Sequence, residues 1–559
     1  MKRLCSLVIG LAAAVIVLAS PRSLQEAQQI ADQYFTSHAH QLRAPKHGSS
    51  LQYAWTASQP DGMPAFYVFN RGEEDGFIIV SAEDITYSVL AYSDSGHFSE
   101  TDMPANTKTW LTAYCHAIHH AVQASSSGNE QERVPQLTTK TYIPVAPLCQ
   151  TQWDQDAPYN ELCPLKNGQR TLTGCVATAA AQIMKVHNHP VNGVGSHSYY
   201  WHRSSRDSVL LSADFGNTTY QWSAMPKKCT NSSQQEIRDA VATLMYHCGV
   251  ACNMSYQIRS LGSSWAYFDD MMYGLVNYFN YDLGIRIILK DYLGEGAFLD
   301  SIHADLQNGL PVYFSGRTRQ DEGHAFVCDG MDANGLVHIN WGWGGNGDAY
   351  YRVSVLDPDN QGAGGSAGND AYTVRVCAYT HIQPNQNDNK RHTFICESME
   401  IEKQRLSRNE KAAITIDTMS NLSLYTWEGT RALLLYKNGQ LFDILKDNTS
   451  GTLYPYYYYY HVRIRPSLAS VPEGEYEVIP AMAISGQPGV YEPIYLRGKG
   501  ICRCSMRVTS DSIFIEEHFV PESIEPVYES SQTQSVKRFQ DGQFLIDCSG
   551  RTYTLTGKR

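Results

Sequence analysis

Residues 171–190 read TLTGCVATAAAQIMKVHNHP, and this stretch decides how the chain is interpreted. Between Gly174 and Pro190 it is dense in alanine and other strong helix formers, which predicts a helix that begins at Cys175. A cysteine inside a helix is usually an inert core residue. At the first turn, the free backbone N–H groups and the positive end of the helix dipole favour a thiolate. We therefore predict that Cys175 has a lowered pKa and faces outward as a nucleophile.

A base for this thiol is predicted much further along the chain. The segments GHAFVCDG (323–330) and GLVHINWGWGG (335–345) predict two antiparallel strands joined by a turn. His324 begins the first strand and Asn340 ends the second. An Asn oxygen that accepts the imidazole N–H would fix the tautomer and aim the other ring nitrogen at the thiol. Trp341, directly after, would cover this hydrogen bond and exclude water.

An oxyanion donor is predicted upstream of the cysteine, in QWDQDAPYN (152–160). The Gln155 side-chain amide and the backbone N–H of Cys175 would together make a two-donor oxyanion hole. The order Gln, Cys, His, Asn along the chain is that of papain-type enzymes. Other histidines have no comparable neighbour in the sequence and are interpreted as satisfied surface or core residues; they include His187, His189 and His338.

Composition and the N-terminal residues limit the classes of protein to which the chain can belong. A chain of 559 residues predicts several domains, and a net charge of −12 argues against a nucleic-acid surface. Residues 1–20, MKRLCSLVIGLAAAVIVLAS, predict a secretory signal peptide, with a membrane anchor as the less favoured alternative. No later segment predicts a membrane span. Loss of Cys5 with the signal leaves 13 of the 14 cysteines, and an odd number in an exported protein indicates a free thiol.

Residues 21–140 predict a small α+β domain followed by a cleavable joint. Helical spacing, three alternating strands and a second helix lead into the polar segment 125–140, which is typical of an exposed linker. Cys115 and His119 are four residues apart on the second helix, a spacing that can hold a metal. A half-buried helix face explains them better, because no further ligand is near in sequence. No metal and no cofactor are predicted.

Residues 386–559 are rich in strands and predict a β-sandwich of immunoglobulin-like type over 386–505. The remainder, 506–559, is predicted to be a β-rich tail that ends in a hairpin or an export signal. The tyrosine run 456–460 is interpreted either as a contact face for carbohydrate or protein, or as cross-strand aromatic packing. Packing is the favoured alternative.

Four motifs in order resemble the streptopain family of bacterial cysteine peptidases: WDQDAPYN, TGCVATAAAQIMKVHNHP, EGHAFVCDG, and HINWGWGG followed by AYYRV. The resemblance covers roughly residues 141–380 and implies a papain-like peptidase domain, which we place at 141–385. It implies that Cys175 is the nucleophile and His324 the general base and acid. It further implies that Gln155 donates to the oxyanion. Asn340 and Trp341 match the family's Asn-Trp pair behind the histidine.

Two other segments carry the resemblance further. Residues 76–98 are similar to the family's inhibitory propeptide, which implies a zymogen with its own propeptide (21–140) as an intramolecular inhibitor. The glycine-rich segment 357–372 is similar to the family's mobile loop beside the active site. The chain continues beyond the end of the family's shortest members, so its substrate range is open.

The sequence therefore predicts an α+β protein: a papain-like peptidase domain between a small α+β propeptide domain and a C-terminal β-sandwich-type region. The predicted function is a secreted cysteine endopeptidase, extracellular or on the surface of a bacterium, that cleaves protein or peptide substrates. Two alternatives stay open. A transglutaminase-type acyl-transfer enzyme usually has Asp as its third group, which Asn340 disfavours. An inactive surface adhesin is disfavoured by the complete set of predicted site residues.

Overall fold

The computed structural model describes residues 20–39, 42–43, 50–126, 140–317, 323–353, 375–386, 390–517, 536–540, 543–548 and 551–554. Several sequence predictions lie outside these residues: the signal peptide up to residue 19, linker residues 127–139, and the glycine-rich segment 357–372. The chain divides into two compact units. The first is Met1–Gly274 with Asp305–Val376, and the second is Leu275–Ala304 with Cys377–Arg559. The predicted domain boundaries at 140, 385 and 505 stay predictions.

The first 380 residues contain both helices and strands. The helices are α1 (Leu24–Ser37), α2 (Ala105–Ser126), α3 (Cys175–His187), α4 (Gln235–Ala251), α5 (Phe268–Phe279), α6 (Lys290–Leu293) and α7 (Glu295–Gln307). The strands are β1 (Leu51–Ser58), β2 (Pro64–Arg71), β3 (Phe77–Ser81), β4 (Val89–Ser93), β5 (Leu165–Lys166), β6 (Gln169–Arg170), β7 (Ser196–Ser204), β8 (Asp207–Asp214), β9 (Arg286–Leu289), β10 (Val312–Arg317), β11 (Gly323–Met331), β12 (Val337–Asn340), β13 (Ala349–Tyr351) and β14 (Arg375–Thr380).

The N-terminal segment of the first unit is a small sheet covered by helices. Ser23 and Glu26 form a reciprocal capping box that starts α1, as the sequence pattern Ser-x-x-Glu requires. The helix packs its alanines on β3, whose side chains are all buried. A buried apolar cluster joins α1 to residues of β2, β3 and β4 and includes Leu336 from the peptidase segment. The predicted α+β character of this segment is thus present.

One sheet runs through the first unit, in the strand order β1-β2-β3-β4-β13-β12-β11-β10. The join between its N-terminal and peptidase halves is the antiparallel pairing of β4 with β13, where Tyr92 faces Tyr350 and Ala91 faces Tyr351. Helix α3 packs on β11 and on α4. It ends at Asn188, in the left-handed conformation (φ 47°), two residues before Pro190. The predicted helix therefore begins and ends where the sequence placed it.

The second unit is rich in strands. It contains α6, the antiparallel pair β9–β14, and the strands β15 (Phe394–Cys396), β16 (Ser398–Ile401), β17 (Arg405–Ser407), β18 (Ile414–Asp417), β19 (Met419–Asn421), β20 (Trp427–Lys437), β21 (Gln440–Leu453), β22 (Tyr458–Tyr459), β23 (Val462–Ile464), β24 (Gly474–Ala483), β25 (Tyr491–Leu496), β26 (Gly500–Ile501), β27 (Cys504–Val508), β28 (Ser512–Glu517), β29 (Val536–Gln540), β30 (Gln543–Cys548) and β31 (Arg551–Thr554).

Two sheets of the second unit share one apolar core. The larger follows the order β17-β28-β27-β24-β25-β15-β19-β22, with the hairpin β20–β21 added on β24; the smaller is β16-β18-β23. Residues from both, such as Leu435 and Ile416, belong to a single buried cluster around Trp427. The C-terminal region is therefore β-rich, and its immunoglobulin-like topology stays a prediction. At the end of the tail, β30 and β31 pair antiparallel as the predicted terminal hairpin requires, and β29 adds a third strand to them.

Candidate active site

The turn before α3 fixes the position of Cys175. Gly174 has φ 88° and ψ 143°, a conformation that essentially only glycine adopts. A Cβ at this position would lie 2.8 Å from the Met254 sulfur and 3.2 Å from the Ser264 Cβ. The Gly174 carbonyl accepts the Thr178 N–H at 3.1 Å, which begins the helix. Backbone conformation and packing therefore both require glycine directly before the cysteine.

The thiol of Cys175 is partly buried. Burial raises its pKa, and hydrogen bonds from the backbone N–H groups of Ala325, Val176 and Cys175 itself offset this only in part. The predicted lowering of the pKa is therefore wrong for this structure, whereas the outward orientation of the thiol stays a prediction. The physical reason is that removing a thiolate from water costs more than the N–H groups at the helix start return.

The segment that carries the predicted base packs against the helix that begins at Cys175. Helix α3 contacts β11, and the backbone N–H of Ala325, which directly follows His324 near the start of β11, lowers the pKa of the Cys175 thiol. His324 is only partly buried, and it pairs with Gly316 of β10. The chain segments that carry the cysteine and the histidine thus meet between the start of a helix and the start of a strand.

Asn340 ends β12, which pairs antiparallel with β11 as predicted. The register places Asn340 opposite Val327, three residues from His324 and about 10 Å along the strand. The Asn340 side chain is buried; its amide donates to the Thr151 carbonyl at 2.8 Å, and its oxygen accepts the Gly342 N–H at 3.1 Å. The observed partners are therefore backbone groups, and orientation of the imidazole by Asn340 stays a prediction.

Trp341 is almost completely buried next to the same strand. Its ring centroid lies 4.7 Å from that of Phe326, two residues after His324. Its indole N–H donates to the Gly347 carbonyl at 3.0 Å. The ring therefore covers the β11 segment next to the histidine, and exclusion of water from the histidine by Trp341 stays a prediction.

Gln155 lies buried beside the turn that leads to α3. Its carbonyl accepts the N–H of Thr173 at 3.1 Å, and Thr173 is two residues before the cysteine. The neighbouring Trp153 carbonyl accepts the N–H of Gly344 at 2.8 Å. The segment that carries Gln155 is thus bonded both to the Cys175 turn and to the glycine-rich loop after Asn340.

Sequence reasoning missed Asp348, which supports this loop. Its carboxylate accepts the backbone N–H of Trp341 at 2.9 Å. Burial raises the pKa of Asp348 to about 7, although the neighbouring His338 and the Trp341 N–H lower it. A lone aspartate directly before the aromatic strand AYY was the available signal.

A second buried pair was also missed because its members are nine residues apart in sequence. Asp329 on β11 and His338 on β12 face each other across the hairpin, with Oδ1 and Nδ1 2.6 Å apart. Burial alone would lower the pKa of His338, but the Asp329 carboxylate outweighs it and the pKa is raised. The same carboxylate accepts the N–H of Cys149 at 2.8 Å. This pair stabilises the hairpin that carries His324 and Asn340.

The N-terminal segment packs on the other side of these aromatic residues. Trp110 of α2 makes edge-to-face contacts with Trp341 at 6.1 Å and with Phe326 at 5.8 Å. At the β11–β12 turn, the Asp332 carboxylate accepts hydrogen bonds from the hydroxyls of Tyr92, at 3.3 Å, and Tyr34, at 3.5 Å. The N-terminal segment therefore contacts the strands that carry the predicted base and its support.

Within the described part of the chain, no group of three or more Cys, His, Asp or Glu side chains could hold a metal ion. Cys115 is buried on α2, and His119 lies 3.3 Å from the Asp61 carboxylate. No helix among the described residues is both long and apolar enough to cross a membrane.

Fold and candidate site together define a class: a cysteine peptidase in which the helix that begins at the candidate thiol packs on the antiparallel strand that carries the candidate histidine. The sequence profile of the Peptidase C10 family matches residues 153–351, and that of the Spi protease inhibitor matches residues 19–118. The chain is 30% identical over 319 residues to streptopain of Streptococcus pyogenes, covering 54% of this chain and 77% of streptopain. The chain belongs to the peptidase C10 family, the streptopain family of cysteine peptidases, and carries an N-terminal inhibitor-type propeptide segment.

The chain is also similar to two further proteins. The chain is 31% identical over 379 residues to the thiol protease/hemagglutinin PrtT of Porphyromonas gingivalis; the match covers 66% of this chain but only 43% of PrtT. The solved structure of Prevotella intermedia prointerpain A is 34% identical, with a TM-score of 0.49, and the match covers 60% of this chain and 98% of that one.

Proposed function

We propose that the chain is the zymogen of a secreted cysteine endopeptidase that cleaves protein or peptide substrates with Cys175 and His324. The observation that carries this proposal is the packing of α3 on β11, because it brings the start of the helix with Cys175 to the strand with His324. The backbone N–H of Ala325, the residue after His324, also lowers the pKa of the Cys175 thiol. The names of the relatives, thiol protease and streptopain, support the same chemistry.

In the proposed mechanism, His324 takes the proton of the Cys175 thiol as the sulfur attacks the carbonyl carbon of the peptide bond. The oxygen of the tetrahedral intermediate accepts from the backbone N–H of Cys175 and the side-chain amide of Gln155. His324 then gives its proton to the leaving amine, and the acyl-enzyme forms. Finally, His324 deprotonates a water molecule that hydrolyses the thioester and restores the thiol.

Asn340 and Trp341 have a supporting role in this proposal. Asn340 ties the end of β12 to the Thr151 carbonyl, and Trp341 packs on Phe326. Both contacts hold the hairpin that presents His324, and a misplacement of about 1 Å at such a site is expected to cost about 100-fold in rate.

The propeptide is proposed to span residues 21–140 and to inhibit the peptidase until the joint at 125–140 is cut. Its contacts to Trp341, Phe326 and Asp332 support this, because they lie on the hairpin that carries the base. The peptidase domain is placed at 141–385, an immunoglobulin-like β-sandwich at 386–505 and a β-rich tail at 506–559. Export by residues 1–20 completes the proposal.

The test is thiol labelling of the processed enzyme with an epoxide-type inhibitor, followed by mapping of the modified residue. Among the described cysteines, only Cys175 and Cys377 are partly exposed, so Cys377 is a matched control. We expect label on Cys175, loss of casein cleavage in Cys175→Ala and retained cleavage in Cys377→Ala. Casein cleavage by Cys175→Ala would refute the assignment.

Two further measurements address the rest of the proposal. The uncut precursor is expected to be inactive, and equal turnover by precursor and processed enzyme would contradict the zymogen. An assay with an amine acceptor separates hydrolysis from acyl transfer, because a transglutaminase-type enzyme forms an amide product and a peptidase forms a free acid.

A further inference from the structure

Tyrosines of the second unit stand together at its surface. We call them the tyrosine surface: Tyr454, Tyr456, Tyr457, Tyr458, Tyr459 and Tyr460. Their exposed fractions run from 40% for Tyr459 to 66% for Tyr457. Cross-strand packing, the alternative that the sequence favoured, predicts that rings on one face of the strand are buried. None of the six is, so packing within the sheet does not account for this run.

The backbone of the segment that carries these rings is hydrogen-bonded to Asn421, which is completely buried. The Asn421 carbonyl accepts the Tyr456 N–H at 2.7 Å, and its own N–H donates to the Tyr457 carbonyl at 3.1 Å. Its side-chain amide donates to the carbonyls of Leu453 and Tyr425, each at 2.9 Å. The presentation of the tyrosines is therefore built into the fold of this unit.

The conformation of Tyr456 explains why neighbouring rings do not alternate between core and solvent. Its φ is 60°, in the left-handed region that bulky residues rarely adopt and that costs roughly 1–2 kcal/mol. A residue in this region interrupts the in–out alternation of a strand. Strain that the surrounding structure maintains is a reason to look for a function at that place.

The rings also fix one another. The centroids of Tyr454 and Tyr457 are 5.9 Å apart at 65°, and those of Tyr458 and Tyr460 are 5.1 Å apart at 76°. Such edge-to-face pairs limit the freedom of the side chains before any partner arrives. A partner would therefore meet a pre-organised aromatic surface and would lose little entropy on binding.

Area and composition point to a protein as the partner. Six tyrosines that are about half exposed offer roughly 500–800 Å² of surface, which approaches the ~800 Å² per partner of a standard protein–protein interface. Tyrosine is among the residues enriched at protein–protein interfaces and in the antibody loops that recognise proteins.

The polar groups around the rings disfavour a carbohydrate. Sugar hydroxyls need polar side chains that are free to bond beside the aromatic platform. The carboxylate near Tyr460 is that of Asp417, and it is already engaged: it accepts the His461 N–H at 3.3 Å and lies 3.4 Å from the His461 ring nitrogen.

We propose that the tyrosine surface is a docking site for folded protein substrates of the peptidase. This inference rests on the proposed endopeptidase function and adds a substrate class to it. A substrate held weakly on the second unit is kept at a high effective concentration for the peptidase site in the same chain. A short peptide has no folded surface that could dock on the tyrosines, so its cleavage would gain nothing from them.

The experiment compares two substrates of the activated full-length chain: a folded globular protein and a short fluorogenic peptide. The variant Tyr457→Ala/Tyr458→Ala/Tyr460→Ala leaves Tyr459, whose hydroxyl bonds the Thr452 carbonyl, in place. We expect KM for the folded protein to rise about ten-fold, which corresponds to about 1.4 kcal/mol of binding free energy, because only a minority of the residues in an interface carry most of its binding energy. The values of kcat and KM for the peptide should stay unchanged.

Two controls separate docking from loss of folding. Tyr200→Ala removes a ring of the first unit that is 65% exposed, close to the 66% of Tyr457. This variant should leave kcat and KM unchanged for both substrates. Replacing the same three tyrosines by Phe keeps the rings and should raise KM for the protein by less than about three-fold. Direct binding of the folded protein to the Cys175→Ala chain should weaken in parallel with the rise in KM.

The proposal is overturned if the triple alanine variant cleaves both substrates as the wild type does, or if both are cleaved more slowly in proportion. It is also overturned if the variant loses binding to an immobilised glycan while KM for the folded protein is unchanged. A wild-type chain that does not cleave the peptide at all would contradict the endopeptidase function itself, which is a different outcome.

Discussion

The turn before Cys175 and the tyrosine surface both depend on a residue with positive φ, but the two regions enforce it differently. At Gly174, with φ 88°, the side chains of Met254 and Ser264 leave no room for a Cβ. At Tyr456, with φ 60°, a bulky side chain is present and is 44% exposed. The position before Cys175 is therefore specified by backbone conformation and by packing, whereas the tyrosine surface is held by hydrogen bonds to Asn421 and by contacts among its own rings. We expect substitutions to be costly in the first region and tolerated in the second.

The largest effect is expected for Gln155→Ala, because loss of one oxyanion donor typically lowers kcat about 100- to 1000-fold. KM and the melting temperature should change little, since the backbone bond from Thr173 to the Gln155 carbonyl remains. The measurement is steady-state kinetics of the processed enzyme on a peptide substrate. Gln150→Ala, at an exposed glutamine near in sequence, is the control. A Gln155→Ala enzyme within about three-fold of wild-type kcat would exclude this role.

A smaller loss is expected for Gly174→Ala. The added Cβ must displace Met254, and alanine must adopt a glycine conformation, which together cost about 2–4 kcal/mol of stability. Displacement of the thiol should also lower kcat/KM about 100-fold. Thermal unfolding and peptide kinetics measure the two effects.

The control for this substitution is Gly168→Ala. Gly168 also has positive φ, 75°, but no atom lies within 4 Å of its Cβ position. The Gly168→Ala variant should lose only the stability that the unfavourable backbone conformation of alanine costs, and it should keep its activity. Equal activity losses at both glycines would mean that packing against Met254 does not hold the thiol in place.

The sequence could predict the features that depend on neighbouring residues, but not those that depend on packing between distant segments. The start of α3 at Cys175 and the antiparallel pairing of β11 with β12 were legible, because helix formers, glycine and turn residues act locally. The raised pKa of Cys175 was not, because burial depends on segments far away in the chain. The partners of Asn340 were missed for the same reason: the Thr151 carbonyl is 189 residues away.

A pH-dependent effect of intermediate size is expected from Asp348. Its pKa is raised to about 7 in the folded chain, against about 3.9 in the unfolded chain. Between these values the folded state keeps a proton that the unfolded state has lost, so this group withdraws stability as the pH rises from about 4 to 7. Over this pH range, the free energy of unfolding falls by on the order of 2–4 kcal/mol because of this group.

Asp348→Asn cannot ionise but can still accept the Trp341 N–H. Its melting temperature should therefore fall less than that of the wild type between pH 4 and pH 7. Asp239→Asn, at an exposed position of α4, should follow the wild-type curve. Parallel curves for Asp348→Asn and wild type would show that the Asp348 carboxyl does not titrate in this range in the folded chain.

The smallest effect is expected for Tyr456→Gly, and it is opposite in direction to that of Gly174→Ala. Glycine relieves the roughly 1–2 kcal/mol cost of the left-handed conformation and loses about 0.5–1 kcal/mol through greater freedom of the unfolded chain. The net change should be between zero and about 1.5 kcal/mol of stabilisation. Tyr457→Gly, where φ is not positive, has no strain to relieve and should destabilise. If both variants destabilise equally, Tyr456 is not strained and this region is specified by packing after all.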